Sequence, residues 1–526
     1  MTVRLTSMAQ GIDISAIAAR WSDEDRAARL WRKDPTVWFD PPRDEIGNRL
    51  GWLDLPRSSE SIVPLVETLA ADARGDGITD LVLCGMGGSS LAPEVFAATI
   101  PHGSGSPRLT VVDTTHPDAI AAVTERTSPV TTWYLVSSKS GGTLETLSLF
   151  RHFWAQASAA LDQPGRHFVA VTDPGSSLER LAEERGFRAV VLADPNVGGR
   201  YSALSAFGLV PAGIVGADIR RLLNVAHDAA DACGPSVALM DNPGFVLGAT
   251  LGAQAAIGRD IVQFSSSEPV ATLPIWIEQL IAESTGKEGR GIVPIAAGPA
   301  PKEGSDVMTI SIGRSYDDAA ALHLAADDPY DVAGVMFILE FATAVAGEII
   351  GIHPFDQPDV QQAKALAHQA MEGSLETGST VVRLIEDPMV IDDIRAAVAA
   401  HPRYVAIQAY VASTQETNET LEALRAVLMN DHGIPSTIGY GPRFLHSTGQ
   451  LHKGGPPGGL FIQLVDSPGV VLPVPETDYT FNALIAAQAA GDRMALDEEA
   501  RTVIAIDLGN ESIAQAASTI VRAISA

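Results

Sequence analysis

Short apolar runs alternate with amphipathic, helix-length stretches along most of this chain. After about residue 55 the runs TDLVLC, RLTVVD, TTWYLV, HFVAVT and RAVVLA each end in a cluster of small or polar residues. Stretches with a helical period of hydrophobic positions separate them. Buried strands that alternate with helices at this spacing predict a doubly wound parallel sheet, with ligands bound outside the carboxyl ends of the strands.

A second series of apolar runs begins after the Gly- and Ala-rich helices of residues 211–257. Its predicted strands are DIVQFSS, GIVPIAAGP, DVMTISIG, YVAIQAYV, PSTIGYG and GLFIQLV, and its predicted helices are Leu273–Glu283, Val332–Ile352, Val360–Met371 and Glu416–Met429. We predict an α/β protein with two doubly wound, flavodoxin-like parallel-sheet domains and extra helices at both termini. The predicted bounds are 1–55 for an N-terminal helical wrap rich in tryptophan, 56–210 and 211–490 for the two domains, and 491–526 for a closing strand and helix.

Composition narrows the class of protein. A hydrophobic fraction of 46% with 19% charged residues is typical of a globular protein. The formal charge of −28 disfavours nucleic acid and anionic membranes as partners, although a local pocket can still bind a small phosphorylated substrate. Two cysteines cannot form a disulfide framework. We therefore expect a cytoplasmic protein.

Neither a signal peptide nor a membrane span is expected. The N-terminal MTVRLTSMAQGIDIS has no basic segment followed by an apolar one. Val332–Ile352 is long enough to cross a bilayer, but Glu340 and Glu348 interrupt it. We interpret it as a buried core helix.

The stretch SSKSGGTLET, residues 137–146, has the pattern of a phosphate cradle. It joins the strand TTWYLV to a predicted helix. Its hydroxyl groups, the backbone N–H groups of the helix N-terminus and the charge of Lys139 would face a phosphate, and Gly141 and Gly142 would allow close approach. Such residues also serve as ordinary bends and helix caps, so the stretch alone leaves both interpretations open.

The glycine turn GMGGSS, residues 85–90, allows two interpretations. Asp113 ends the next strand about where a ribose-binding acid lies in dinucleotide-binding proteins. However, the sixth position is Ser90, and the turn is crowded with hydroxyls. Two hydroxyl-rich turns on neighbouring strands suit one monophosphate better than a pyrophosphate, so we expect no nicotinamide cofactor.

Two further stretches carry candidate catalytic groups. Arg200 follows a glycine pair in NVGGRYSALSAFGL and could stabilise an oxyanion, although a surface ion pair is the alternative. Gln279 and Glu283 in LPIWIEQLIAESTGK share one helix face, where a partly buried Glu283 could act as a general base rather than as a solvated surface acid.

Less specific signals lie further along the chain. Gln357 belongs to the turn FDQP, and Lys364 follows on a predicted helix. His446 and His452 lie in RFLHSTGQLHKGGPPGG, where a histidine could shuttle protons. No cysteine or acidic ligand accompanies the histidines at metal spacing, so no metal site is predicted.

Together these motifs resemble the phosphoglucose isomerase family, whose members are built from two sugar-isomerase (SIS) domains. NVGGRYSALSAFGL and GEIIGIHPFDQPDVQQAK are similar to its signatures, and GMGGSS, SSKSGGTLET and ESTGK agree in order and chemistry. KDPTVWFDPP, NRLGWL and GPRFLHSTGQLHKGG resemble the isomerase half of fused transaldolase–isomerase proteins.

The resemblance implies reversible isomerisation of glucose 6-phosphate and fructose 6-phosphate, without a cofactor, by a homodimer. It implies that Glu283 is the base, that Arg200 stabilises a cis-enediol(ate), and that Lys364 assists ring opening. The substrate-binding residues that it implies are Gly88, Ser89, Ser138, Lys139, Ser140, Thr143, Gln279, Gln357 and His452.

The ring-opening histidine is the least direct match. In most of the family it lies between the base and the second signature and comes from the partner subunit. In this chain the similar segment is FLHSTGQLHKGG, which follows Lys364, so we expect His446 in this role, with His452 as the alternative. Two other functions stay open, namely a dual isomerase that also accepts mannose 6-phosphate, and a non-catalytic SIS sugar-phosphate sensor.

Overall fold

The computed structural model describes residues 4–7, 12–302, 304–315, 317, 319–358, 366, 369, 371 and 380–525. In these residues the strands are β1 (Arg4–Ser7), β2 (Asp80–Gly85), β3 (Arg108–Val112), β4 (Thr132–Ser137), β5 (Phe168–Thr172), β6 (Ala189–Leu192), β7 (Ile261–Ser266), β8 (Val293–Ala296), β9 (Met308–Gly313), β10 (Leu322–Ala325), β11 (Val382–Leu384), β12 (Tyr404–Tyr410), β13 (Ser436–Tyr440), β14 (Gly459–Val465) and β15 (Thr502–Asp507). They form three five-stranded sheets.

The α-helices of the same residues lie before, between and after these strands. They are α1 (Ser15–Asp23), α2 (Arg26–Trp31), α3 (Leu55–Ser58), α4 (Val63–Gly75), α5 (Leu91–Thr99), α6 (Pro117–Arg126), α7 (Leu144–Ala160), α8 (Ser177–Glu184), α9 (Ala206–Ile214), α10 (Ile219–Ala232), α11 (Pro243–Ala256), α12 (Pro274–Thr285), α13 (Asp331–Ile350), α14 (Pro388–Ala399), α15 (Gln415–His432), α16 (Gly449–Gly454), α17 (Phe481–Glu498) and α18 (Ile513–Ser525).

The first sheet has the order β3-β2-β4-β5-β6 and is parallel throughout. Its central strands β2, β4 and β5 are buried along their whole length, which explains why they read as continuous apolar runs. The strand order reverses between β2 and β4, and the loops that leave the carboxyl ends of these two strands therefore diverge and open a crevice.

The second sheet has the order β1-β10-β9-β7-β8, and the third has the order β11-β15-β14-β12-β13. The third sheet is parallel throughout, whereas β1 joins the second sheet antiparallel to β10. The α/β class with parallel sheets is thus confirmed.

The arrangement of the later strands differs from the single second sheet that was expected. Strands assigned to the predicted domain 211–490 divide between two sheets, and β15 of the predicted tail lies inside the third sheet. The apolar pattern marks each strand but carries no information on which strand it pairs with. The domain bounds themselves stay a prediction.

Helix α13 lies at the centre of the largest hydrophobic core. Of the described helices it is the one long and apolar enough to cross a membrane, and 89% of its apolar window is buried inside the protein. It packs closely on α11 because glycines line the contact: a Cβ on Gly248 would lie 2.4 Å from the backbone oxygen of Ala342. The interpretation of this stretch as a core helix is confirmed.

The N-terminal segment packs on the same two helices through its tryptophans. Trp21 contacts Phe245 of α11 with ring centroids 5.3 Å apart. The indole nitrogen of Trp38 donates to the backbone oxygen of Ala344 in α13 at 2.9 Å. Trp21 also donates to Glu348, one of the two acids that interrupt the apolar pattern of α13. Residues 12–55 therefore cover the core helices from outside.

Candidate active site

A cavity of about 360 Å³ opens at the carboxyl edge of the first sheet. The loops after β2, β4, β5 and β6 contribute to its wall, together with the last turns of α12 and a turn after β13. The residues that line it are Arg49, Met86, Gly87, Gly88, Ser89, Lys139, Ser140, Thr143, Asp173, Pro195, Gly199, Arg200, Gln279, Glu283, Gln357 and His446.

Two glycine turns meet at the base of this cavity. Gly87 has a φ of +54°, a backbone conformation that favours glycine. A Cβ on Gly88 would lie 2.0 Å from the carbonyl oxygen of Gly199, which is far inside van der Waals contact. The turn after β2 can therefore approach the turn that carries Arg200 only because position 88 has no side chain.

The predicted cradle after β4 lies at the cavity wall. Ser140 and Thr143 line the cavity, and the Ser138 and Thr143 hydroxyls lie 3.0 Å apart. Thr143 immediately precedes α7, whose N-terminus therefore lies at the cavity wall. Hydroxyls beside a helix N-terminus form a site for an anion.

Lys139 is paired within the protein. Its ammonium group forms an ion pair with Asp173 and donates to the backbone oxygen of Pro195 at 3.2 Å. Burial raises the pKa of Asp173, and the neighbouring lysine partly offsets this effect. An incoming phosphate would therefore meet a cation whose charge is shared with an internal carboxylate.

Arg200 is buried, and each of its three guanidinium nitrogens has a contact within the protein. Its Nε donates to the hydroxyl of Ser284 at 2.8 Å. Its Nη2 donates to the backbone oxygens of Pro354 at 3.0 Å and Asp356 at 2.8 Å. Its Nη1 lies 3.3 Å from Oε1 of Glu283. The guanidinium group is held rigidly, which excludes the alternative of an ordinary surface ion pair.

Glu283 and Gln279 lie on one face of α12, as the spacing of four residues predicts. Both side chains are buried. The amide nitrogen of Gln279 donates to Oε2 of Glu283 at 3.1 Å and to the backbone oxygen of His446 at 2.7 Å. Gln279 thereby connects the carboxylate to the turn that carries His446.

His446 lies on a short 3₁₀ turn, Arg443–His446, that follows β13. Its Nε2 is 3.0 Å from Oε1 of Glu145, in the first turn of α7. Contact with a buried carboxylate favours one tautomer and one orientation of the histidine ring. The cavity thus brings a histidine–carboxylate pair and an arginine–carboxylate pair together in one chain.

Comparison with known proteins finds one family that is similar to the part of the chain that forms this site. The family model for phosphoglucose isomerase matches residues 65–292, a range that includes the cradle, Arg200 and Glu283. The glucose-6-phosphate isomerase of Rubrobacter xylanophilus is 28% identical over 414 residues, which cover 66% of this chain and 93% of that protein. One from Thermus thermophilus is 29% identical over 395 residues, or 63% and 92% of the two chains. The chain is thus similar to phosphoglucose isomerases over its first sheet, the cradle, Arg200 and Glu283.

Solved structures have a similar fold. The crystal structure of a hypothetical protein from Thermus thermophilus has a TM-score of 0.60 and 27% identity, and the match covers 70% of this chain and 99% of that one. A glucose-6-phosphate isomerase from Chlamydia trachomatis shares the fold, with a TM-score of 0.60, 20% identity and coverage of 70% and 88%. The family-model match and the curated relatives together support that the chain is an isomerase. The resemblance to fused transaldolase–isomerase proteins stays a prediction.

The second candidate histidine lies apart from the cavity. His452 is buried, with its Nδ1 3.1 Å from the amide nitrogen of Gln408. Its ring packs against Phe444 and Phe461 at centroid distances of 5.7 Å and 5.2 Å. Burial lowers the pKa of His452 well below its ordinary value and favours the uncharged form. Gln357 lines the cavity as expected, whereas Lys364 lies outside the described residues.

Several residues of the site had no signal of their own in the sequence. Glu145 belongs to the cradle stretch, but an acid in the first turn of a helix is ordinarily a partner of the helix dipole. Arg49 and Asp173 line the cavity from segments that carry no recognised catalytic pattern. Within the described residues, no three His, Cys, Asp or Glu side chains are grouped so that they could hold a metal ion.

Lys287, which follows Glu283 by four residues, is buried. Its Nζ donates to the backbone oxygen of His353 at 2.6 Å, and to the backbone oxygen and Oδ1 of Asp356 at 2.5 Å and 2.6 Å. Burial, reinforced by the charge of Arg200, lowers the pKa of Lys287 to about 7. Asp356 opposes this shift.

A second cavity of about 450 Å³ lies beside Lys287 and is less suited to an anionic substrate. The other cations in its wall are Lys453 and Arg501. Lys453 is paired with Asp492 at 2.5 Å, and Arg501 donates to three backbone oxygens. Its described wall also contains three acids, Glu288, Asp356 and Glu499, and no hydroxyl side chain, so the smaller cavity is the better candidate for the active site.

Proposed function

We propose that this chain interconverts glucose 6-phosphate and fructose 6-phosphate through a cis-enediol(ate). The observation that carries the proposal is the buried Arg200–Glu283 pair at the wall of a cavity that also has a phosphate cradle. The printed names of the relatives, glucose-6-phosphate isomerase, support the same substrate. The proposal assigns each of the steps below to groups of this one chain.

The phosphate group would bind at the cradle. The hydroxyls of Ser140, Thr143 and Ser89 and the N-terminus of α7 would donate to it, while Lys139 adds a charge shared with Asp173. This binding is the same in substrate and transition state. It therefore supplies anchoring, and the rate enhancement must come from the other end of the cavity.

Ring opening would use His446 with Glu145 behind it. Because Nε2 of His446 is taken up by Glu145, Nδ1 is the nitrogen that would meet the sugar. Protonation of the ring oxygen, with removal of the proton from the anomeric hydroxyl, breaks the bond between C1 and the ring oxygen and leaves the open-chain aldehyde. The neighbouring carboxylate would stabilise the imidazolium that donates this proton.

Isomerisation would follow on the open chain. Glu283 removes the proton from C2 of the aldose and returns it to C1, while a proton moves from the C2 hydroxyl to O1. Arg200 Nη1 would stabilise the negative charge that develops on the enediolate oxygen, from a position that is already fixed before the substrate binds. Gln357 would contact the sugar, and Lys364 keeps its proposed supporting role in ring opening.

The test is an assay of fructose 6-phosphate conversion in EDTA, coupled to a glucose-6-phosphate dehydrogenase. We expect metal-independent turnover that falls by about 10³-fold in Glu283→Gln. Glu288→Gln is the matched control, because this glutamate is close in sequence but exposed and paired with Arg43. Turnover that survives Glu283→Gln would show that Glu283 is not the base. Sugar-phosphate binding without turnover in the wild-type protein would favour a sensor. Activity with mannose 6-phosphate would extend the proposal to a dual isomerase.

A cytoplasmic location and a homodimer belong to the same proposal. Both cysteines, Cys84 and Cys233, are buried and unpaired, which suits a reducing compartment. The dimer rests on the family alone. The proposed ring-opening histidine does not require it, because His446 reaches Glu145 within one chain.

A further inference from the structure

Glu145 receives a second hydrogen bond at the same oxygen that faces His446. The amide nitrogen of Gln488, on α17, donates to Oε1 of Glu145 at 2.8 Å. His446 Nε2 lies 3.0 Å from that oxygen. Gln488 is 343 positions away in the chain, so this contact depends on the docking of the third sheet's helices against the first sheet.

The orientation of the Gln488 amide is fixed from its other end. The hydroxyl of Thr115, just beyond the end of β3, donates to Oε1 of Gln488 at 2.6 Å. An ionised carboxylate only accepts hydrogen bonds, so the amide nitrogen must face Glu145 and the amide oxygen must face Thr115. The result is a continuous hydrogen-bonded series from Thr115 through Gln488 and Glu145 to His446.

The residues of this hydrogen-bonded series are buried. Thr115 is 0% exposed, Gln488 3% and Glu145 6%, so water cannot replace a missing partner easily. A carboxylate in such a place needs donors to remain charged, and a hydrogen bond from a neutral amide stabilises the charged form. Gln488 is also held through its backbone oxygen, which accepts from the Tyr410 hydroxyl at 3.4 Å.

We infer that Gln488 is a positioning residue for ring opening. It holds the Glu145 carboxylate in its charged form and in register with His446, while Thr115 holds Gln488. The inference rests on the proposed function and deepens it, because it assigns a supporting group to the ring-opening step alone. Gln488 need not touch the sugar.

The experiment separates ring opening from isomerisation. The Glu283→Gln protein cannot move the carbon-bound proton, but with His446 and Glu145 intact it should still open and close the ring. It should therefore interconvert the α and β anomers of glucose 6-phosphate faster than buffer does, as measured by exchange NMR. Adding Gln488→Leu should lower this anomerisation rate by about tenfold, since general acid–base catalysis contributes several orders of magnitude and would be impaired rather than abolished.

Gln408→Leu is the matched control. It removes another buried glutamine that lies beside a histidine, His452, but away from the cavity. In the wild-type background Gln488→Leu should lower kcat and leave KM within a fewfold range. Thr115→Val is a milder second variant with the same expected direction, and thermal unfolding shows whether each variant is folded.

Gln488→Glu adds a readout that a purely structural role would not move. At neutral pH it places a second carboxylate against Glu145, so kcat should fall. On acidification the two carboxyl groups can share one proton and restore the hydrogen bond, so relative activity should recover as the pH falls. Among the described residues, Glu145 and His446 face this position directly, and the ion pair of Asp492 with Lys453 lies one helical turn further along α17.

The outcomes distinguish the inference from the proposed function. Anomerisation and kcat that are unchanged by Gln488→Leu in a folded protein would overturn the inference and leave the isomerase intact. A wild-type protein that does not isomerise fructose 6-phosphate would instead overturn the proposed function. If Glu283→Gln does not anomerise, the decision rests on kcat in the wild-type background, where loss supports the inference and no change overturns it.

Discussion

Arg200 Nη1 and Glu283 Oε1 lie 3.3 Å apart at the cavity wall, with side chains 3% and 8% exposed. The arginine cannot move toward the carboxylate, because Ser284 and the backbone at residues 354 and 356 hold its other nitrogens. The geometry of the pair is therefore set by the protein. In the proposed mechanism, the base and the oxyanion-stabilising group would be organised before the substrate binds.

Replacing Arg200 by lysine should reduce kcat by about 10²-fold, with KM changed only a fewfold. An ammonium group keeps the charge but cannot make four contacts in the fixed geometry of a guanidinium. Steady-state kinetics with fructose 6-phosphate would measure this. Arg220→Lys is the control, because Arg220 is exposed and paired with Glu67 on the surface. A kcat within threefold of wild type would argue against the assigned role of Arg200.

Mixing two inactive variants should not restore activity. His446 lies beside Glu145 of its own chain, and Gln279 connects its backbone to Glu283 of that chain. If each site is made wholly from one chain, every site in a mixed dimer lacks either His446 or Glu283. No site is then intact. His446→Ala and Glu283→Gln proteins would be denatured together, refolded and assayed. Recovery of a substantial fraction of activity would mean that each site takes its histidine from the partner subunit.

Gly88→Ala should destabilise the protein by about 1–3 kcal/mol and lower its activity. The added Cβ would lie 2.0 Å from the carbonyl oxygen of Gly199, so one of two backbone turns must move. Gly199→Ala is the matched comparison, since a Cβ there has nothing within 4 Å. Thermal unfolding compares the two. Equal midpoints would mean that the turns are not in close contact.

Stability should depend on pH through Lys287. With its pKa lowered to about 7 by burial, this amine is largely uncharged in the folded protein over a range where the unfolded chain, with a lysine pKa of about 10.4, still binds the proton. The unfolded state therefore binds more protons between pH 7 and about 10, and the free energy of unfolding rises with pH across that window.

Urea unfolding of wild type and Lys287→Met at pH 7, 8 and 9 would measure this. The difference in free energy of unfolding should grow in favour of wild type, with a limit of about 1.4 kcal/mol per pH unit. Lys33→Met, at the protein surface, should give a difference that stays flat. A flat profile for Lys287→Met as well would mean that the buried amine stays protonated in the fold.

Much of the fold and part of the site could be predicted because they depend on local pattern. The limits of β14, Gly459–Val465, coincide with its apolar run, since a strand buried on both faces is marked residue by residue. Gln279 and Glu283 share a face because four residues make about one helical turn. The glycine turns and hydroxyl clusters were visible for the same reason.

Other features depend on long-range packing and had no local signal. The sequence predicted the strands of residues 211–490 but not their division between two sheets. β1 is short and polar, and its position is decided by β10. His446 and His452 are six residues apart in the sequence, and only the packing around them determines that the first lines the cavity while the second is buried apart from it. The Glu145–Gln488 contact is of the same kind.

The proposed ring-opening pair, His446 and Glu145, is far apart in the sequence, which has a consequence for the order of synthesis on the ribosome. Glu145 leaves the ribosome early, with the cradle, whereas His446 and Gln488 belong to the last part of the chain. A nascent chain that ends soon after α13 already contains Arg200 and Glu283 but lacks the group that would open a sugar ring. In the proposed mechanism, the groups for isomerisation and the groups for ring opening are therefore synthesised at different times. Action on a cyclic sugar would then require the C-terminal third of the chain to be docked.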